Sequence, residues 1–210
     1  MNLNITDIRL VVLGILLLSG MYATGSGNYY AYTIAEHSWV SISGRTNVNT
    51  FVCMASEYSP RGLVTVDEYR QGQRLIFQEA LLHLENSAFD CNNKLMNRDL
   101  YKALGGDDKP GIDIKLIEAQ TIGPCPVSRK GFIHARVSIT INGVSRTEEI
   151  VINFLLEDDT SAYHLRGSKA LRMSDFDIDI PSPMMGLVRV SDEITIDFNL
   201  IVQASLLTNR

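Results

Sequence analysis

The most chemically suggestive stretch of the chain is a run of acids at every second position, Asp175, Asp177 and Asp179. Carboxylates at this spacing could bind calcium, but an EF-hand loop needs a glycine at its sixth position and a carboxylate at its twelfth. Counted from Asp175, those positions hold Ile180 and Gly186. Since side chains alternate across a strand, the acids predict a solvated acidic strand face with apolar residues opposite. A weak surface cation site is the alternative.

The other groups that could do chemistry do not form a recognisable catalytic or metal-binding pattern. The adjacent pairs Glu148-Glu149 and Asp158-Asp159 would point apart on a strand, so neither pair converges by itself. The histidines have none of the spacings typical of metal ligands, and they lie at His37, His83, His134 and His164. We therefore predict that the chain is not an enzyme and uses no cofactor or metal. Histidines gathered by the fold are the catalytic alternative.

Composition predicts an ordinary globular domain with enough apolar surface for a core. The chain has 210 residues, of which 45% are hydrophobic and 20% charged, with a net charge of −5. No segment is a basic run, so the sequence predicts no nucleic-acid partner. Anionic membrane surfaces would weakly repel a domain of this charge.

The N-terminus predicts export. A short polar head with Arg9 precedes the apolar run Leu10–Leu18, and Ala23 and Gly25 supply small residues at plausible cleavage positions. The apolar run is short for a membrane span. We predict a signal peptide at residues 1–25, a periplasmic or secreted mature protein and no stable membrane insertion after cleavage. An uncleaved N-terminal anchor is the alternative.

Three cysteines, Cys53, Cys91 and Cys125, would meet an oxidising compartment after export. Three single pairings exist, and three buried free thiols are the alternative. Cys53 and Cys91 each follow a phenylalanine by two residues in a predicted strand, so we favour a disulfide between them.

Most of the remaining chain has period-two hydrophobicity, which is typical of antiparallel strands with one solvated face. The apolar faces comprise Ile112, Ile114, Leu116; Ile133, Ala135, Val137, Ile139, Ile141; Ile150, Ile152, Phe154; and Ile194, Ile196, Phe198, Leu200, Val202. Asn142-Gly143 separates two of these runs and predicts a type I′ hairpin turn. Several such strands predict an all-β barrel or sandwich.

One segment has helical periodicity instead. Leu95, Leu100 and Leu104 recur at helical spacing, an asparagine precedes them as a cap, and Gly105 follows. The sequence therefore predicts a single short helix, which would pack on the sheet or close one end of it.

Three stretches in order, at residues 42–53, 89–104 and 165–198, with the predicted hairpin at residues 141–146 between the last two, resemble the YceI-like family of bacterial exported lipid-binding proteins. The resemblance covers roughly residues 32–203. It implies an antiparallel lipocalin-like β-barrel of about eight strands over residues 28–206, with the short helix packed at an end. It also implies that Asp175 belongs to a structural turn.

The resemblance implies a function too: an exported protein that holds an amphipathic, chain-like lipid of isoprenoid type inside the barrel, for transport or storage. The apolar faces would then line the ligand, through Ile112, Ile114, Leu116, Ile150, Ile152, Phe154, Ile194, Ile196, Phe198 and Leu200. The alternative is a non-catalytic structural or interaction module whose barrel is filled by its own side chains. A homodimer is compatible with either.

The sequence departs from the family in two places. Where many members have Asp in an Asp-x-x-His-Ser start, this chain has Ile34 before His37-Ser38. Residues 58–75 match poorly and look like an arginine-bearing insertion. The resemblance therefore implies the container, and the identity of the ligand stays open.

Overall fold

The structure is a computed structural model that describes residues 28–55, 61–69, 74–109, 111–122, 129–157, 162–181 and 187–207. The predicted signal peptide and Cys125 lie outside these residues. The strands are β1 Asn28–Ile34, β2 Trp39–Thr46, β3 Thr50–Ala55, β4 Arg61–Tyr69, β5 Arg74–Gln78, β6 Leu81–Leu84, β7 Ile112–Ile122, β8 Lys130–Ile141, β9 Val144–Leu156, β10 Ala162–Arg172 and β11 Val190–Leu206. The described residues include one α-helix, α1, which spans Lys94–Ala103.

The strands form one antiparallel sheet that closes on itself. The ring runs β1-β4-β5-β7-β8-β9-β10-β11 and is closed by pairing between β11 and β1. Closure removes the exposed edges that such a sheet would otherwise leave. The predicted lipocalin-like barrel of about eight strands is therefore confirmed, and a sandwich is excluded.

At two places in the barrel, two short consecutive strands pair with one long strand: β1 and β2 with β11, and β5 and β6 with β7. β11 pairs with β1 over Val202–Leu206 and with β2 over Val190–Asn199. In the same way β7 pairs with β5 near its C-terminal end and with β6 at its start. The chain bends between the halves, where His37 and Glu79 adopt positive φ angles of 67° and 66°. Each pair of half-strands thus covers the full length of one neighbouring strand.

The predicted apolar faces point into the barrel. Ile139 and Ile141 of β8, Ile150 of β9 and Ile194 and Ile196 of β11 are all buried. Alternate residues on these strands are exposed or half-buried. The period-two pattern therefore gave the correct inward face, as one-sided strands require.

The two local signals with defined backbone geometry are also confirmed. Asn142 and Gly143 have φ angles of 53° and 80°, as a type I′ turn requires. At the start of α1, Asn93 Oδ1 accepts hydrogen bonds from the backbone N–H groups of Leu95 and Met96 at 3.0 and 3.1 Å. Gly105 follows the helix with φ 101°, so both ends are capped as predicted.

The prediction of an acidic strand face at residues 175–179 is wrong. Residues Met173–Phe176 form a 3-10 turn, and Asp177 follows with φ 52°. The acids are exposed as expected, but Ile180, predicted on the buried side with Phe176, is 40% exposed. The alternation imitates a strand, whereas a hydrogen-bonded turn reverses the chain between β10 and β11.

The arginine-bearing segment at residues 58–75 is part of the barrel wall. Its described residues form β4 and the start of β5, which pair with each other and with β1 and β7. Arg74 donates from Nε to Glu118 Oε1 at 2.6 Å, and Arg136 donates to Glu118 Oε2 at 2.6 Å. Arg70 lies outside the described residues. The described residues of the predicted insertion therefore form strands of the barrel wall.

Candidate functional site

A cavity of about 240 Å³ lies between α1 and one end of the barrel. The helix contributes Met96, Leu100 and Ala103, and the barrel contributes mainly Ile42, Phe51, Ile141 and Ile194. Met173 and Ile178, from the connection between β10 and β11, complete the apolar lining. Small-molecule sites are concave and mostly apolar, and this cavity has both features.

The cavity exists because α1 does not pack flush on the barrel. The helix is amphipathic, yet none of its residues is fully buried. Met96, Leu100 and Ala103 are half-buried against the core, and Leu95 is 49% exposed. Apolar helix surface thus faces open space, and closing the gap would bury it.

The helix is held at both ends by hydrogen bonds. Asn97, in the first half of α1, binds the segment that precedes the helix. Its Oδ1 accepts a hydrogen bond from Cys91 N at 2.7 Å, and its Nδ2 donates one to Asp90 Oδ1 at 2.8 Å. The bond from Asn97 lowers the pKa of Asp90 below its usual range. After the helix, the buried Asn86 donates from Nδ2 to the carbonyl oxygen of Leu104 at 3.2 Å. These contacts fix the position of α1 over the cavity.

A disulfide joins Cys53 of β3 to Cys91, just before α1. Cys53 is fully buried and lines the cavity. The covalent link therefore ties the base of the helix to the wall of the cavity that it covers.

The polar groups at the rim of the cavity already have partners. Thr46 Oγ1 donates to Asn49, with the carbonyl oxygen at 3.0 Å and Oδ1 at 2.9 Å. Asn93 caps α1, and Asp99 pairs with Arg98 at 3.3 Å. The cavity thus has an apolar interior that suits an apolar chain, and the protein's own contacts hold the polar side chains at its rim.

The predicted ligand-lining residues lie mostly away from this cavity. Ile194 lines it, whereas Ile112, Ile150, Ile152 and Ile196 are buried in the core. The remaining five are half-buried, and they are Ile114, Leu116, Phe154, Phe198 and Leu200. Of these, Phe198 lines a separate recess beside Trp39. Ligand contact by these ten residues stays a prediction.

Sequence reasoning missed the contribution of α1 and of the β10–β11 connection. The signal that could have revealed it is the apolar face of an amphipathic helix with Met96 and Leu100 at helical spacing. The apolar face of such a helix packs against other apolar residues, and at the end of a barrel those residues are the ones that line its interior.

The fold does not gather the histidines. His83, on β6, and His164, on β10, each have an acid as neighbour. His83 Nδ1 lies 2.6 Å from Asp113 Oδ1, and His164 Nε2 lies 3.6 Å from Glu157 Oε2. Among the described residues, no group of three or more histidines, cysteines or acids could hold a metal ion. No helix in the described part of the chain is long and apolar enough to cross a membrane.

A second, larger recess of about 590 Å³ lies on the outer wall, beside Trp39, Met54 and Arg166. Arg166 donates from Nε to Asn199 Oδ1 at 2.8 Å across it. The recess is shallow and open to solvent. It would leave a lipid chain in water, so the smaller cavity under α1 is the candidate site.

No protein-family model and no curated protein matches the sequence. The structure is similar to a polyisoprenoid-binding domain from Saccharophagus degradans that is implicated in plant cell wall breakdown, with a TM-score of 0.58 and 9% identity over 83% of this chain and 98% of that one. It is also similar to BcnA from Burkholderia cenocepacia, with a TM-score of 0.49 and 16% identity over 79% and 95% of the two chains. For the YCEI protein of Campylobacter jejuni, the TM-score is 0.41 and the identity is 12%, over 70% of this chain and 81% of that one. The similarity to the Saccharophagus degradans domain supports the predicted barrel at the level of the fold.

Proposed function

We propose that the chain is an exported binding protein that holds an amphipathic, chain-like lipid of isoprenoid type in its barrel, for transport or storage. The observation that carries the proposal is the apolar cavity between α1 and the barrel end. The protein would act in the periplasm or outside the cell, by binding rather than by catalysis.

The size of the cavity sets the length of chain that it can enclose. An apolar cavity of about 150 Å³ holds benzene, which has six carbon atoms. By proportion, the 240 Å³ under α1 holds about ten carbons, or roughly two isoprene units. Burying ten CH₂ groups contributes about 8 kcal/mol to binding, before the entropy lost in ordering the chain is subtracted. A chain that only fills this cavity would therefore bind no tighter than about micromolar.

The solved structure with the highest TM-score of the three reported above is described as a polyisoprenoid-binding domain. It supports the same ligand class for a barrel of the same fold, although a fold alone does not determine function. The apolar interior of the cavity supports that class independently.

A second candidate function follows from the packing inside the barrel. Ile112, Ile139 and Ile196 are each at most 4% exposed, so much of the interior is filled by the protein's own side chains. A barrel of eight strands can be just wide enough for that. The chain would then be a non-catalytic structural or interaction module.

Extraction of the protein with organic solvent, followed by mass spectrometry, separates the two functions. The protein should be purified from its own export route, and its N-terminal sequence should begin after Gly25. We expect wild-type protein to yield a chain-like lipid. Ala103→Phe, which places a ring in the cavity, should lower the lipid content at least about tenfold.

The matched control is Ala170→Phe, which adds the same ring on an exposed position of β10. It should keep the wild-type lipid content, and melting curves should show that both variants are folded. Wild-type protein without lipid, or an Ala103→Phe variant with a full complement, would contradict the proposed function.

A further inference from the structure

The two most exposed large apolar side chains of the described residues lie on two segments that hydrogen bonds join. Leu187 is 71% exposed and Val48, at the tip of the β2–β3 hairpin, is 67% exposed. Asn47 holds the two segments together, donating from Nδ2 to Leu187 O at 3.1 Å and accepting at Oδ1 from Arg189 N at 2.8 Å. Single exposed apolar side chains need no explanation, whereas a contiguous set marks an interaction surface.

Both segments take part in the cavity under α1, since Val188, next to Leu187 in the chain, lines it. Val48 lines the cavity from the hairpin, and Leu95, which is 49% exposed, lines it from the helix. Ile180 is 40% exposed and adjoins Pro181, which also lines the cavity. We call Val48, Leu95, Ile180 and Leu187 the mouth surface.

The charges around the mouth surface are unevenly placed. Arg45 and Arg189 flank the hairpin side, and Lys94 and Arg98 flank Leu95 on α1, all of them exposed. The acids Asp177 and Asp179 lie beyond, next to Ile180. Arg98 pairs with Asp99 on the same helix. Arg45, Lys94 and Arg189 therefore make the side with the two most exposed apolar residues the basic side, which complements anionic lipid headgroups.

We propose that the mouth surface docks on a phospholipid bilayer that contains anionic lipid, so that a ligand chain passes between the bilayer and the cavity without crossing water. The proposal rests on the proposed function, because it assigns the route by which the same cavity is filled. Apolar side chains beside cations are the composition that inserts at a membrane interface. Since the net charge of the chain is −5, insertion of the apolar side chains provides most of the attraction.

The test is co-sedimentation of the full-length mature protein with vesicles of phosphatidylglycerol and phosphatidylcholine in equal amounts. We expect the wild type to partition onto these vesicles, more weakly onto pure phosphatidylcholine and more weakly again in high salt. The double variant Val48→Ser/Leu187→Ser should lose about tenfold in partitioning.

The matched control is Leu63→Ser/Leu206→Ser, which removes two leucines that are 57% and 53% exposed. Both flank β1, where Leu63 pairs with Ala31 and Leu206 pairs with Tyr30, away from α1. This control should bind vesicles like the wild type. An equal loss in both double variants, or no binding of the wild type to mixed vesicles, would overturn the docking proposal.

Measurement of extracted lipid in the same preparations keeps the two proposals apart. Protein that contains lipid but does not bind vesicles would contradict the docking proposal and remain consistent with the proposed function. Protein that holds no lipid contradicts the proposed function, whatever its behaviour toward vesicles.

Discussion

At the scale of single residues, glycines paired with aromatic residues shape the barrel wall. Gly167 lies opposite Phe198 and Gly44 lies opposite Phe51 in the strand register. A Cβ at Gly167 would lie 2.5 Å from Phe198 Cζ, and one at Gly44 would lie 2.6 Å from Phe51 Cζ. The rings therefore occupy the space above the glycines, an arrangement that allows close packing in curved sheets. Because Phe51 lines the cavity, Gly44 helps to set its shape.

Substitution of these glycines tests the packing. Gly167→Ala should lower the free energy of unfolding by about 1 kcal/mol, because the half-buried ring of Phe198 must move away from the new methyl group. Gly131→Ala is the control, since the nearest atom of Phe154 would lie 3.1 Å from its Cβ. It should have a clearly smaller effect in urea denaturation. Equal losses for the two variants would show that the ring of Phe198 does not restrict this position.

At the scale of elements, the turn after β10 positions one wall of the cavity. Asp192, at the start of β11, accepts hydrogen bonds from Ser174 N at 2.8 Å and from Ser174 Oγ at 2.7 Å. The side-chain bond from Ser174, followed by the backbone bond, lowers the pKa of Asp192 below its usual range. Met173, beside Ser174, lines the cavity. One carboxylate thus ties the turn to the strand that follows it.

The pH dependence of stability tests this bond. Since the folded pKa of Asp192 is depressed, its contribution is present above the unfolded value of about 3.9 and is lost as pH falls through the folded value. Asp192→Asn should therefore lower the melting temperature at pH 6, and the difference from wild type should shrink below about pH 4. The control, Asp175→Asn, changes an exposed acid in the same turn. A difference for Asp192→Asn that is the same at pH 6 and at pH 2.5 would contradict the role of its charge.

Elements with strong local signals could be predicted from sequence, and elements decided by distant contacts could not. The turn at Asn142-Gly143 and the cap at Asn93 need only their own backbone conformations. The alternating acids after Met173 have the same period as a strand. The turn that they form is instead held by Asp192, which lies eighteen positions after its partner Ser174. Non-local hydrogen bonds of this kind leave no periodic signal.

At the scale of the whole molecule, the barrel could be predicted and the place of its open space could not. Alternation identified the inward residues, including Ile150 and Ile196, because burial on one face imposes the period. The same pattern arises whether the inward residues touch one another or a ligand. The cavity exists where α1 spans the barrel end between fixed points at Asn86 and Cys91. The height of a helix above a sheet depends on those contacts, which the periodicity of α1 does not encode.

The most direct test of the ligand site is a crystal structure of the mature protein with a ten-carbon alcohol that carries bromine on its terminal carbon. We expect one anomalous bromine peak in the cavity, within contact distance of Phe51 and Leu100, and none after the same soak of Ala103→Phe. A bromine peak confined to the outer-wall recess beside Trp39, or no ordered bromine at saturating alcohol, would contradict the claim that the cavity under α1 holds a lipid chain.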